Sequence, residues 1–166
     1  MSVVVRTNSP ESTRAVAAAV AATFGDGDLV VLAGDLGAGK TCFTQGVALG
    51  LGIDGRVTSP TFTLHNRYEG SLVLNHLDVY RLDDLEETLD LDLPELLEEG
   101  VTVIEWGEQI DPVLPADHLV IRLLLADADN DRRIEFYAGG PRWTERIPAI
   151  ATAIAAVAKV EGMSDG

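Results

Sequence analysis

The run Gly34-Asp35-Leu36-Gly37-Ala38-Gly39-Lys40-Thr41 has the form G-x-x-x-x-G-K-[S/T], and those residue types at that spacing suit one task, holding the phosphates of a nucleotide. Glycines let the backbone wrap closely around phosphate oxygens, where a Cβ would collide with the ligand or forbid the φ values needed. Lys40 supplies a mobile positive charge for the terminal phosphates, and the Thr41 hydroxyl is placed to ligate Mg²⁺. A helix beginning at Lys40 adds its unpaired N–H groups and positive dipole end. Asp35, Leu36, Gly37, Ala38, Gly39, Lys40, Thr41 and Cys42 are therefore the expected nucleotide contacts. Cys42 has two readings: a helix N-terminus can lower a thiol pKa, and a small residue there can simply be buried.

Nucleotide hydrolysis also needs a carboxylate near Mg²⁺, commonly at the end of a neighbouring buried strand. Glu105 follows the apolar run 101–104 and is the expected second Mg²⁺ ligand, directly or through water. Glu108 is either a further site acid or a favourable dipole partner of a following helical turn. Trp106 either covers the nucleotide or fills the core. Thr58-Ser59-Pro60-Thr61 lies in the loop after the phosphate-loop helix, where switch proteins sense the γ-phosphate, although the same residues also make ordinary turns. Asp78 closes an apolar strand and is a candidate to orient attacking water, whereas His76, a lone histidine near a strand end, reads more readily as structural than catalytic. Arg81 either neutralises phosphate charge or pairs with Asp83 and Asp84.

These residues need a scaffold that the hydrophobic pattern supplies. Residues 3–5, 28–33, 72–77 and 101–106 read as strands, with at most one edge strand in 53–70. Ser9 followed by Pro10 starts a helix over 10–23, and a second helix runs over 40–49 to the Gly50 and Gly52 signals. The acidic segment 83–99 resembles one or two short helices broken by Pro94, either a solvated face or a partner surface. Residues 118–126 and 132–137 flank a polar turn and predict a hairpin. The Ala-rich segment 148–158 is a closing helix, and 161–166 reads as a frayed tail. Strand and helix alternation followed by a hairpin predicts an α/β sandwich whose mixed sheet is parallel at its centre and antiparallel at one side.

Composition narrows the partners. With 27 acidic against 12 basic residues the formal charge is −15, which disfavours ligands held mainly through phosphate backbones or lipid headgroups. A single cysteine excludes an intramolecular disulfide and a cysteine-rich zinc site. The first residues lack the basic and apolar regions of a signal peptide, and no apolar stretch reaches the ~18 residues of a membrane span, so the expectation is a cytoplasmic protein with no membrane partner.

Taken together, GDLGAGKT at 34–41, SPTFTL at 59–64, HLDVYRL at 76–82 and IEWGE at 104–108 resemble the bacterial TsaE (YjeE) family, over roughly residues 5–140. The resemblance implies a three-layer P-loop NTPase-like sandwich, one ATPase domain over residues 1–160, working in the cytoplasm with ATP and Mg²⁺. It also implies two partner subunits, TsaB-like and TsaD-like, which attach a threonylcarbamoyl group to the adenosine beside a tRNA anticodon, so that tRNA is met only through them. Carried onto this chain, it makes Lys40 the phosphate lysine, Thr41 and Glu105 the Mg²⁺ ligands and Asp78 an acid important for hydrolysis. Thr61 then falls in the switch-like segment and Trp106 beside the site.

Two other functions compete. A small nucleotide or metabolite kinase begins with the same strand, loop and helix but needs an acceptor pocket and an Arg-rich lid, and the ten Arg here are scattered with one adjacent pair, Arg132 and Arg133. A nucleotide-gated interaction module would keep binding and lose hydrolysis. A GTPase is excluded because Lys159, the one lysine outside the loop, is followed by Val160-Glu161 and cannot form N-K-x-D.

Overall fold

Each early element forms for a local reason. The computed structural model describes residues 1–35, 37–60, 65–79, 93–105 and 114–164. Strand β1 (Ser2–Thr7) leads into helix α1 (Pro10–Ala21), whose start is a reciprocal cap. The Ser12 amide donates to Ser9 Oγ at 3.0 Å, and the Ser9 amide donates to Ser12 Oγ at 3.1 Å, while Pro10 takes a first-turn position that needs no N–H. Strand β2 (Leu29–Ala33) is an unbroken apolar run, as a strand covered on both faces requires. Helix α2 (Lys40–Gly50) packs tightly on α1, because a Cβ at Gly46 would stand 2.5 Å from the Arg14 carbonyl and one at Gly50 2.5 Å from that of Ala18.

Beyond α2 come β3 (His65–Glu69), β4 (Val73–Asp78), a single helical turn α3 (Leu93–Leu96), β5 (Val101–Glu105), β6 (Leu119–Leu125), β7 (Arg132–Ala138), α4 (Pro141–Ala155) and β8 (Val160–Ser164). The eight strands form one sheet in the order β3-β4-β5-β2-β6-β7-β1-β8. Strands β4, β5, β2 and β6 run parallel, with Leu77 beside Ile104, Val31 beside Ile104 and Leu32 beside Ile121. The expected parallel centre is present, and so is the β6–β7 hairpin. Antiparallel pairing occurs on both flanks, since β3 pairs antiparallel with β4 at the opposite edge from β7, β1 and β8.

Two segments differ from the sequence expectation. Residues 160–164 are not a frayed tail: they add a strand to β1, with a register shift between Val4 and Val5. Their mixed sequence, without apolar alternation, hides this, because an edge strand is held by its backbone ladder. Helix α4 starts at Pro141, seven residues before the Ala-rich segment, and buries the stripe Trp143, Ile147, Ile150 and Ile154. Pro141 takes the first-turn place that suits proline, and Pro148 stays inside the helix. Of the acidic segment, residues 83–92 lie outside the described residues, and Pro94 falls within the first turn of α3.

On one sheet face, Val30, Leu32, Val103 and Ile121 share a core with Val16 and Val20 of α1, Phe43 and Val47 of α2 and the α4 stripe. The other face is covered where Leu29, Leu77 and Ile104 meet Leu96, Leu97 and Leu114. Below the sheet, Arg146 of α4 donates to both carboxylate oxygens of buried Asp28 at 2.7 and 2.6 Å and lies 3.9 Å over the Trp143 ring. Arg146→Ala strands a buried carboxylate and is expected to lower unfolding stability by about 3 kcal/mol in urea titration, with Arg146→Lys recovering only part because an ammonium cannot offer the paired donors. A midpoint equal to that of the unaltered chain in both variants would contradict this.

Candidate phosphate-loop site

The parallel register places the site. Leu32 of β2 lies beside Glu105 of β5, and Glu105 lies beside Asp78 of β4, so three strands bring the glycine-rich loop and two carboxylates to one sheet edge. The loop then needs its glycines. Gly34 has φ 146° and leaves no room for a Cβ, which would stand 2.5 Å from the Leu123 carbonyl oxygen. Gly39 has φ 105°, in the left-handed region, where it precedes α2. That helix begins without a side-chain cap and without an acidic residue in its first turn. Its first N–H groups are thus left for an anion rather than for the chain's own side chains.

Lys40 is buried, and its ammonium donates to the carbonyls of Gly34 at 2.7 Å and Asp35 at 3.0 Å, holding the loop closed on itself. The Thr41 hydroxyl donates to Glu105 Oε1 at 3.2 Å. Glu105 Oε2 meets His76 Nε2 at 2.5 Å, and both side chains are buried. Ser59 Oγ donates to Asp78 Oδ2 at 3.0 Å, which ties the loop after α2 to the end of β4. The Gln45 amide holds the same loop through the Val57 carbonyl at 3.1 Å. Of the residues expected from sequence, Asp35, Gly37, Ala38, Gly39, Lys40, Thr41, Cys42, His76, Asp78 and Glu105 gather here. Leu36, Thr61, Arg81, Trp106 and Glu108 lie outside the described residues.

Cys42 resolves to the packing alternative. Its half-buried thiol donates to the Pro10 carbonyl at 3.5 Å and accepts from Arg14 at 3.6 Å, and burial pushes its pKa above the ordinary thiol range despite the arginine.

Hard oxygen donors mark the carboxylate side of the site. Adjacent ligands of an octahedral Mg²⁺ sit ~3 Å apart, given metal–oxygen distances of about 2.1 Å. The Thr41 hydroxyl and Glu105 Oε1 are 3.2 Å apart, a spacing that fits two neighbouring positions of one such ion. Among the described residues no group of three or more His, Cys, Asp or Glu forms a metal cage. Such a pair suits Mg²⁺, which is commonly bound by one or two protein groups together with phosphate oxygens and water.

Arg132 had no signal in the sequence. From β7 it donates through Nε to the Ala38 carbonyl at 2.9 Å and through Nη2 to that of Gly37 at 3.3 Å, while Nη1 holds Asp129 and Asp131 carbonyls in the hairpin turn. The residues it joins are more than 90 positions apart, so no local pattern announces the contact. Beside it opens a hollow of about 140 Å³ lined by Pro10, Thr13, Arg14, Cys42, Asn130 and Arg132.

A mixed sheet with a parallel centre, flanked by helices and carrying this loop between β2 and α2, defines an α/β sandwich of the P-loop NTPase-like class. The family model described as threonylcarbamoyl adenosine biosynthesis protein TsaE matches residues 7–134, and the chain belongs to that family. A Bacillus subtilis relative named tRNA threonylcarbamoyladenosine biosynthesis protein TsaE is 47% identical over 140 residues, covering 83% of this chain and 87% of its own length. Proteins of the same name from Treponema pallidum and Streptomyces coelicolor are 51% and 44% identical, covering 64% and 70% of this chain and 80% and 84% of their own. The crystal structure of Bacillus subtilis YdiB superposes with a TM-score of 0.78 at 38% identity, over 92% of this chain and 95% of that one. No helix among the described residues is long and apolar enough to cross a membrane.

Removing the Arg132 guanidinium frees two loop carbonyls. A hydrogen bond from a charged donor contributes roughly 1.5–3 kcal/mol, so Arg132→Ala is expected to speed hydrogen exchange at the amides of residues 37–41 by about tenfold or more. Exchange unchanged within twofold would show that the loop holds its shape without β7.

Proposed function

We propose that this chain is the ATP-binding and ATP-hydrolysing subunit of the machinery that makes threonylcarbamoyladenosine in tRNA, slow alone and activated by TsaB-like and TsaD-like partners. Family membership supports the pathway. The observation that carries the chemistry is the junction of a buried loop lysine, Lys40, with the Thr41 and Glu105 oxygen pair at one sheet edge.

On this reading Lys40 exchanges its carbonyl contacts for the terminal phosphates, which its point charge attracts more strongly than neutral acceptors. The amides at the start of α2 hold phosphate oxygens, and the purine and ribose end lies in the hollow beside Arg14 and Arg132. Thr41 and Glu105 hold Mg²⁺, which offsets the negative charge of the phosphates. Asp78, level with Glu105 on the neighbouring strand, orients the attacking water and accepts its proton. Its bond from Ser59 makes the loop after α2 sensitive to what occupies the site. This loop and the acidic 83–99 segment are the surfaces that report nucleotide state to the partners.

The charge balance supports leaving tRNA to those partners. Nucleic-acid affinity comes largely from Lys and Arg neutralising phosphates, and this chain carries a net −15 with one of its two lysines inside the loop. The expected site of action is the cytoplasm, where the tRNA substrate is.

Three measurements test the reading. Lys40→Ala is expected to weaken binding of a fluorescent ATP analogue by about 100-fold or more. At saturating Mg²⁺, Glu105→Ala and Asp78→Ala are expected to retain nucleotide while partner-stimulated release of inorganic phosphate falls ~100-fold, since positioned charge acts mainly in the transition state. Equal loss of binding and turnover in both would make them structural residues, and transfer of phosphate to a small acceptor would identify a kinase instead. In gel shifts at physiological salt the isolated chain is expected to leave tRNA unshifted at micromolar concentration, and sub-micromolar binding would overturn the indirect role.

A further inference from the structure

His76 has no exposed surface, yet it brings a polar ring into the core of β4. Its Nε2 meets Glu105 Oε2, and its Nδ1 is buried with no hydrogen-bond partner among the described residues. Burying a ring nitrogen without a partner is unfavourable, and a leucine at this strand position would pack without that cost. The one polar contact His76 makes is therefore the feature that distinguishes it from an apolar residue.

That contact also fixes the tautomer. With Nε2 unprotonated, its lone pair would face a carboxylate oxygen and an N–H would be orphaned at Nδ1. With the proton on Nε2, the ring donates to Glu105 and leaves only a bare nitrogen unpaired. The Glu105 carboxylate is then gripped at both ends, Oε2 by His76 and Oε1 by the Thr41 hydroxyl. Three elements, β4, β5 and α2, each contribute one member of this chain.

We propose that His76 is a positioning residue, whose Nε2–H pins one oxygen of Glu105 so that the other stays beside Thr41 as a ready divalent-cation ligand. The proposal rests on the reading of this site as one for Mg²⁺ and nucleotide. Without the imidazole the carboxylate can turn about its terminal bond, and a cation must then reorder it on binding. Hydrogen-bond partners that orient ligands in this way typically contribute 10–100-fold to metal affinity.

The test measures nucleotide affinity, rather than turnover, across a Mg²⁺ titration and in EDTA. His76→Leu is expected to raise the Mg²⁺ concentration for half-maximal enhancement of binding by 10–100-fold, with affinity in EDTA unchanged. His76→Gln, whose amide N–H reaches near the place of Nε2, is expected to return the Mg²⁺ response to within about threefold of the unaltered chain. If His76→Leu does not fold, His76→Asn, too short to reach Oε2, takes its place. A Mg²⁺ response in the Leu or Asn variant equal to that of the unaltered chain overturns the proposal alone, as does a Gln variant no better than Leu. Absence of any Mg²⁺-dependent binding in the unaltered chain overturns both the proposal and the reading of the site.

Discussion

The parallel pairing of β2 with β5, in the register that sets Leu32 beside Glu105, obliges the strand that feeds the glycine-rich loop and the strand that ends in a carboxylate to finish at the same edge. Antiparallel pairing would send one of them to the far side of the sheet. From that constraint follow the reach of Thr41 to Glu105, the level placement of Asp78 on β4 and the position of α2 over the shared core. The tight fit of α1 against Gly46 and Gly50 holds α2 in turn, so that its N-terminus faces the loop.

Polar groups at this edge are paired rather than isolated. Lys40 is satisfied by loop carbonyls, Glu105 by Thr41 and His76, and the loop backbone by Arg132 from the hairpin. The His76–Glu105 bond lies wholly out of water, where it is stronger and would be costly to leave unmade. The arrangement is a closed loop held in shape by groups that a phosphate ligand can replace.

Much of this was legible locally. The loop motif, the apolar run of β2 and the acid after the run 101–104 are short-range patterns, and they locate Lys40, Thr41 and Glu105 from sequence alone. The parallel centre followed from strand and helix alternation. What was hidden depends on distant partners: β8 has no apolar alternation and exists through its ladder with β1, and Arg132 acts across more than 90 residues. His76 looked structural because a lone histidine carries no pattern, and only the strand pairing shows that it points to the same face as Glu105. The alanine run at 148–158 marks only the second half of helix α4, whose start is supplied by Gly140 and Pro141.

The central claim is that the loop between β2 and α2 takes nucleotide phosphates with Mg²⁺ at the Thr41 and Glu105 oxygens. The most direct measurement is a titration of isotope-labelled protein with Mg²⁺ and ATP, followed residue by residue through amide and lysine side-chain resonances. The account predicts the largest saturable shifts at residues 37–42, a shift of the Lys40 ammonium as it leaves the Gly34 and Asp35 carbonyls, and a Mg²⁺-dependent change at Glu105. Saturable shifts confined to another surface, with these resonances unmoved, would contradict it.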